Sequence, residues 1–205
     1  MGATVVDETL TLLGRGRGVW QGWELSGWLG VLHDQPAAAV GAAGGLGQVA
    51  IRAELSIRDE NDDLAVRGAI GVDSRLDLFD RDFYFSIEYQ HDDLGASDAA
   101  GLLRAASSDA FVRGELQTLS QDVAATQVSY QLHPLWGTDL LVLWSLTDQS
   151  ALVSSGASYS ASNEVTLRAG LFVGLGDGAA TSPNVIPSEY GITPTLVYLS
   201  ASLFF

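Results

Sequence analysis

From Leu64 to Leu78 the chain alternates without a break. Leu64, Val66, Gly68, Ile70, Val72, Ser74, Leu76 and Leu78 fall on one side of an extended backbone, and Ala65, Arg67, Ala69, Gly71, Asp73, Arg75 and Asp77 on the other. A period of two is the mark of a strand with two unlike faces. At ~3.3 Å per residue this run reaches about 50 Å, where a strand of an ordinary globular sheet has about five or six residues. The run before it behaves the same way. Val49, Ile51, Ala53, Leu55 and Ile57 face one way; Gln48, Arg52, Glu54, Ser56 and Arg58 face the other, and "DENDD" between the two runs is a polar turn.

Eleven such runs can be traced: 3–13, 18–32, 46–58, 64–78, 82–91, 109–119, 123–133, 138–147, 151–161, 164–175 and 193–205. Most connections are short and carry turn residues, as in "GRGR", "FDRD", "LSQD", "TDQS" and "SASN". Three are long: an Ala/Gly-rich stretch at 33–45, a stretch at 92–108 with a short helix expected around Ala99 to Ala106, and 177–193, which holds two of the five prolines. Even spacing with no internal boundary predicts one all-β domain over 1–205, an antiparallel meander.

Alternation does not say which face is buried. In a soluble sandwich the apolar face is the core; in a membrane barrel it meets lipid and the polar face lines a lumen. Run length favours the barrel, because ten to fifteen residues suit tilted strands crossing ~25–30 Å of apolar layer. Charge placement favours it too. Arg52, Glu54, Arg67, Asp73, Arg75, Glu88, Arg113, Glu115 and Arg168 all fall on the polar face at mid-run, and charges of both signs can neutralise one another across a lumen. The expected fold is therefore an up-and-down transmembrane β-barrel of about ten to twelve strands. Eleven is an awkward count, because single-chain bacterial barrels have even numbers of strands. It also puts the 92–108 connection at the end opposite the 177–193 connection.

The last run, "TLVYLSASLFF", ends the argument for the barrel. Val197, Leu199, Ala201, Leu203 and Phe205 alternate on one face up to a terminal aromatic. This ending resembles the C-terminal signal of bacterial outer-membrane barrel proteins. The stretches "FSIEYQHDDLGASDAAGLL", "FVRGELQTLSQDV" and "SYQLHPLWGTDLLVLWSLTDQSALVSSGASYSASNEVTLRAGLFVGLG", with "SEYG", also resemble a group of porin-like outer-membrane proteins, many of them longer at the N-terminal end. The resemblance implies an outer-membrane location in a Gram-negative-type bacterium, membrane lipid as the solvent of the apolar face, and the barrel-assembly machinery as a partner that reads the last strand. The first ten residues, "MGATVVDETL", lack the basic and apolar stretches of a secretory signal, so a mature form or a piece of a longer porin is expected.

Composition narrows the chemistry. The formal net charge is −15 and all ten basic residues are arginine, which argues against nucleic acid as a partner. There is no cysteine, so thiolate metal sites and disulfides are excluded. No metal site and no cofactor are expected: "RDENDD" lacks the spacing of a calcium loop, and "GRGRG" and "GLGDG" lack the helix and Lys of a phosphate loop.

His91, Asp92 and Asp93 form the best candidate for hydrolysis, since His beside a carboxylate can serve as a base; a solvated strand end is the blander reading and the favoured one. His33 and His133 stand alone. Trp20 and Trp28 fall with Glu24 on the polar face of the 18–32 run, either stacking on sugar rings or, as favoured, filling space. The functional expectation is a non-enzymatic porin-like channel passing small polar or cationic solutes. The alternatives are a filled structural barrel, a barrel-embedded hydrolase and a soluble β-sandwich.

Overall fold

The computed structural model describes residues 2–6, 9–60, 63–178 and 184–204. Twelve strands form one sheet in strict sequence order: β1 (Gly2–Val6), β2 (Thr9–Trp20), β3 (Trp23–Leu32), β4 (Gln35–Leu46), β5 (Val49–Glu60), β6 (Asp63–Asp77), β7 (Asp82–Asp92), β8 (Asp122–His133), β9 (Trp136–Ser145), β10 (Ala151–Ser160), β11 (Val165–Leu175) and β12 (Leu196–Leu203). Every neighbouring pair of strands is antiparallel. β1 and β12 are the edges, and among the described residues no ladder joins them, so the sheet is open.

Three findings correct the sequence-based count. The 33–45 connection is β4. The first run is two strands, β1 and β2, and the 18–32 run is cut by a turn. The 109–119 run is no strand: it holds a helical turn, α2 (Asp109–Val112), whose first N–H groups are capped by Ser108 (Phe111 N to Ser108 Oγ, 3.2 Å). The helix expected near Ala99 is present as a 3₁₀ turn (Ala99–Gly101) running into α1 (Leu102–Ala106).

An even count also settles the ends. The connections 93–121 and 176–195 now lie at the same end of the sheet, with the turns after β3 and β9. The opposite end has only tight turns, among them Gln21–Gly22 and Phe79–Asp80; these, like His33–Asp34 at the cap end, have positive φ at both positions, the twist that two-residue hairpins need.

The β5–β6 register pairs Ile51 with Val72, Ala53 with Ile70 and Arg52 with Gly71, so the apolar stripe and the polar stripe each continue from strand to strand. The apolar stripe is not buried. Leu29, Val40, Leu55, Ile70, Ile87, Leu140, Leu171, Val197 and Leu199 all lie on it and are all exposed, Leu199 at 82 %. The buried hydrophobic residues lie elsewhere: Ala37, Ala65 and Val123 on the polar face, and Ala96, Leu102, Ala105, Ala110, Leu116 and Tyr190 in the two long connections. The apolar cluster of the described residues, Ala96, Leu102 and Ala105 with Ala99, Leu119 and Ile186 against it, belongs wholly to those connections.

Candidate functional site: a charged face with a loop folded on to it

Residues 93–121, between β7 and β8, fold back over the polar face and are fastened there by charge. The Glu115 carboxylate accepts from Arg58 Nη1 of β5 at 2.6 Å and from its near neighbour Arg113 Nε at 2.6 Å, and lies 3.1 Å from His33 Nε2 in the β3–β4 turn. Arg67 of β6 donates to the Glu115 carbonyl at 2.7 Å and reaches Asp92 Oδ2 at 2.8 Å. Burial alone would raise the Glu115 carboxyl, but the Arg58 and Arg113 hydrogen bonds outweigh it, and its pKa lies below the usual glutamate value. Arg58 is almost wholly buried, and Ala37 and Ala65 beneath the loop are small enough to admit it.

The described part of the second long connection, 184–195, docks on the first. Both Glu189 oxygens accept backbone N–H groups, from Leu119 at 2.8 Å and Ser120 at 3.0 Å. Asp148 Oδ2, in the β9–β10 turn, accepts from Glu189 N at 2.6 Å, and its Oδ1 accepts from the Ser150 hydroxyl at 2.7 Å. Burial pushes the Asp148 carboxyl up, yet the Ser150 and Glu189 bonds hold it below the usual range. The two connections form one cap, closed inside by Leu102 and Ile186.

Away from the cap the polar face is flatter. Glycines let long side chains lie against the sheet: a Cβ on Gly71 would meet Arg52 and Glu88 at 3.2–3.4 Å, and one on Gly170 would overlap the Tyr198 ring at 2.6 Å. Arg52 Nη2 pairs with Asp73 at 2.6 Å, and its Nε lies 4.0 Å from Glu88. Arg17 pairs with Glu24, and Arg75 stands 5.8 Å over the Tyr84 ring.

Of the charges expected on this face, Arg52, Glu54, Arg67, Asp73, Arg75, Glu88 and Arg168 lie on it. Arg113 and Glu115 do not sit on a strand; they reach it from the loop. Glu54 and Arg168 make no ion pair among the described residues, so the charge matching is incomplete. Val197, Leu199, Ala201 and Leu203 share the apolar face of β12, pairing with Leu171, Ala169, Leu167 and Val165; Phe205 lies outside the described residues.

A hollow of about 590 Å³ lies between the cap and the strands. Its lining comes from six neighbouring strands, β2 to β7, and from Gln117 of the loop. Sequence reasoning missed this grouping and Glu189, and it placed Arg58 on the polar face without its role in fastening the loop. Glu54 and Arg67, expected on the polar face, and Trp28, an aromatic among polar neighbours, carried a signal. Trp20 is not its companion: the Gln21–Gly22 turn reverses the chain, Trp20 pairs with Trp23, and both are turned to the apolar side.

The His91 candidate is split by the pleat. Asp92 points to the polar face and Arg67, while His91 is on the apolar side, with Nδ1 at 2.8 Å from Asp122 and Nε2 at 3.1 Å from Asp93. Both ring nitrogens are engaged by carboxylates and neither meets a hydroxyl, so the arrangement tethers the two ends of the loop. No group of His, Asp and Glu side chains among the described residues is arranged to hold a metal ion. No protein-family model matches the chain, and no curated protein matches it at a significant level.

Proposed function

We propose that this chain is a porin-like barrel of a bacterial outer membrane, a passive, non-enzymatic pathway for small polar solutes with a preference for cations. The observation that carries the reading is the exposure of the apolar stripe from strand to strand, with the buried apolar residues confined to the loops and the polar face. Water is a poor solvent for such a surface, and contiguous apolar patches of this extent mark lipid or partner contact. Aromatics support the same reading. Trp23, Phe83, Tyr130, Trp136 and Tyr159 lie on the outward side at the tight-turn end, with Tyr89 and Trp144 toward the cap. Trp136 and Trp144 are about 27 Å apart along β9, or roughly 20 Å across a bilayer at a tilt near 45°, in keeping with interfacial girdles.

Closure is part of the proposal. Open twisted sheets rarely exceed about ten strands. β1 runs toward the cap and β12 away from it, so their pairing would be antiparallel and would remove both edges. Membrane lipid would then cover the outside, and the assembly machinery would read the last strand during insertion.

Reconstitution in planar bilayers tests the function. The acidic excess, in connections such as Asp93, Asp98, Asp177 and Glu189, should draw cations to the cap end over about a Debye length, ~8 Å at physiological salt. Stepwise conductance with modest cation preference is the expected result. Anion selectivity would refute the charge argument, and silence from protein that still shows a heat-modifiable gel shift would favour the filled-barrel alternative.

A hydrolase is the second reading, and one contact favours it. Thr9 Oγ1 lies 3.2 Å from His33 Nδ1, whose Nε2 faces Glu115 at 3.1 Å, the hydroxyl–imidazole–carboxylate order of a relay. It ranks second because Arg58 and Arg113 already neutralise that carboxylate, which leaves it little charge to stabilise an imidazolium. Ester hydrolysis abolished by His33→Ala in folded protein would promote it.

A further inference from the structure

Resting on the porin reading, we propose that the hollow under the cap is a binding subsite for a neutral, polyhydroxylated solute, a mono- or oligosaccharide stacked on Trp28. The volume falls within the ~300–1,000 Å³ of small-molecule sites. What distinguishes it from the rest of the polar face is the state of its side chains. Toward the cap, Arg58, Arg67, Asp92, Arg113 and Glu115 are held in ion pairs with one another, and Arg58 with Glu60 as well. In the hollow, Arg15, Trp28, Glu54, Ser56, Gln90 and Gln117 line the space and make no side-chain hydrogen bond or ion pair with any described residue.

Their chemistry selects the ligand. Arg15 and Glu54 are opposite in sign, and Arg67 is neutralised by Asp92, so neither a cation nor an anion is favoured throughout. Two amides, a hydroxyl, a guanidinium and a carboxylate present donors and acceptors together, which is what a ring of hydroxyls requires. Trp28 is the half-buried apolar wall among them. The negative face of its indole suits the weakly positive C–H face of a pyranose. The register sets Arg15 opposite Trp28, Trp28 opposite Ala39, and Gly41 opposite Glu54. The floor between the indole and Glu54 is therefore bare, and a flat ring has room beside the indole.

The test is sugar binding by folded protein in detergent, read by intrinsic fluorescence and calorimetry, with glucose, maltose, maltotriose and sucrose as probes and sodium benzoate and arginine as charged controls. At least one sugar should bind more tightly than either control. Trp28→Ala should weaken it roughly tenfold or more, the scale of removing an aromatic anchor, Trp28→Phe should restore part of the loss, and Trp136→Ala on the outer face should change nothing. Folding of each variant is checked by its gel shift. No sugar binding by the folded parent, or binding undiminished in Trp28→Ala, overturns the proposal. Ion current in bilayers separates it from the porin reading: current without sugar binding keeps the pore and rejects the subsite, and sugar binding through Trp28 without current keeps the subsite and rejects the pore.

Discussion

At the scale of single residues, the two faces of one strand make opposite demands on neighbouring positions. Ile70 is half exposed on the apolar side of β6, and Ala69, one residue before it, points to the polar side opposite Glu54 and Gln90. Arg at position 70 should cost roughly 2–4 kcal/mol of insertion near a bilayer midplane, and Arg at position 69 far less; folding yields into vesicles check the difference. Glu115 and Asp148 bear on pH. Both carboxyls have folded-state pKa values below their ordinary ones, so their contribution to holding the cap is present above the usual range, ~3.9–4.3, and is lost as pH falls through the lowered values. A spin label at Gln117→Cys should be immobile at pH 7 and gain mobility only below about pH 4. In Glu115→Gln the label should be mobile already at pH 7, because Arg58 and Arg113 lose the carboxylate that fastens the loop and Arg58 is left with Glu60 alone.

At the scale of elements, the cap and the sheet are separately held. The cap depends on a small apolar cluster and on Glu189, the sheet on its ladders. Leu102→Ala should cost the cap roughly 2–5 kcal/mol. Hydrogen exchange of the Leu119 and Ser120 amides should accelerate, with the β5 and β6 amides unchanged. How much of this was legible varies by element for physical reasons. β5 and β6 could be read residue by residue because Val, Ile and Leu alternate with Arg, Glu and Asp. β4 could not: its polar-side row is Ala37, Ala39, Gly41, Ala43 and Gly45, and its other row includes Ala38, Ala42 and Gly44. Neither row carries contrast, and the strand exists because β3 and β5 flank it. The stretch 109–119 misleads in the opposite way, since Val112 and Leu116 alternate with Arg113 and Glu115 as in a strand while the Ser108 cap turns the backbone into helix. Trp20 was placed with Trp28 because parity carries along a run only until a hairpin reverses it. Fastening of the loop by Glu115 was out of reach, because Arg58 and Glu115 are 57 positions apart.

At the scale of the whole molecule, the arrangement is inverted relative to a soluble β-protein. The apolar side of a twelve-stranded sheet is open to its surroundings, the charged side carries a folded loop, and the buried apolar residues sit in the cap or, as Ala37, Ala65 and Val123, on the charged side. The central claim is that the apolar stripe faces lipid and the polar stripe faces water. The natural chain has no cysteine, so single cysteines can report each face in turn. Cysteines at successive positions from Arg67 to Val72, labelled with an environment-sensitive fluorophore in protein folded into liposomes, should respond with a period of two. Positions 68, 70 and 72 should be quenched by a lipid-embedded quencher, and 67, 69 and 71 by an aqueous one. Uniform access of the aqueous quencher to all six positions, or the opposite phase, would contradict the account.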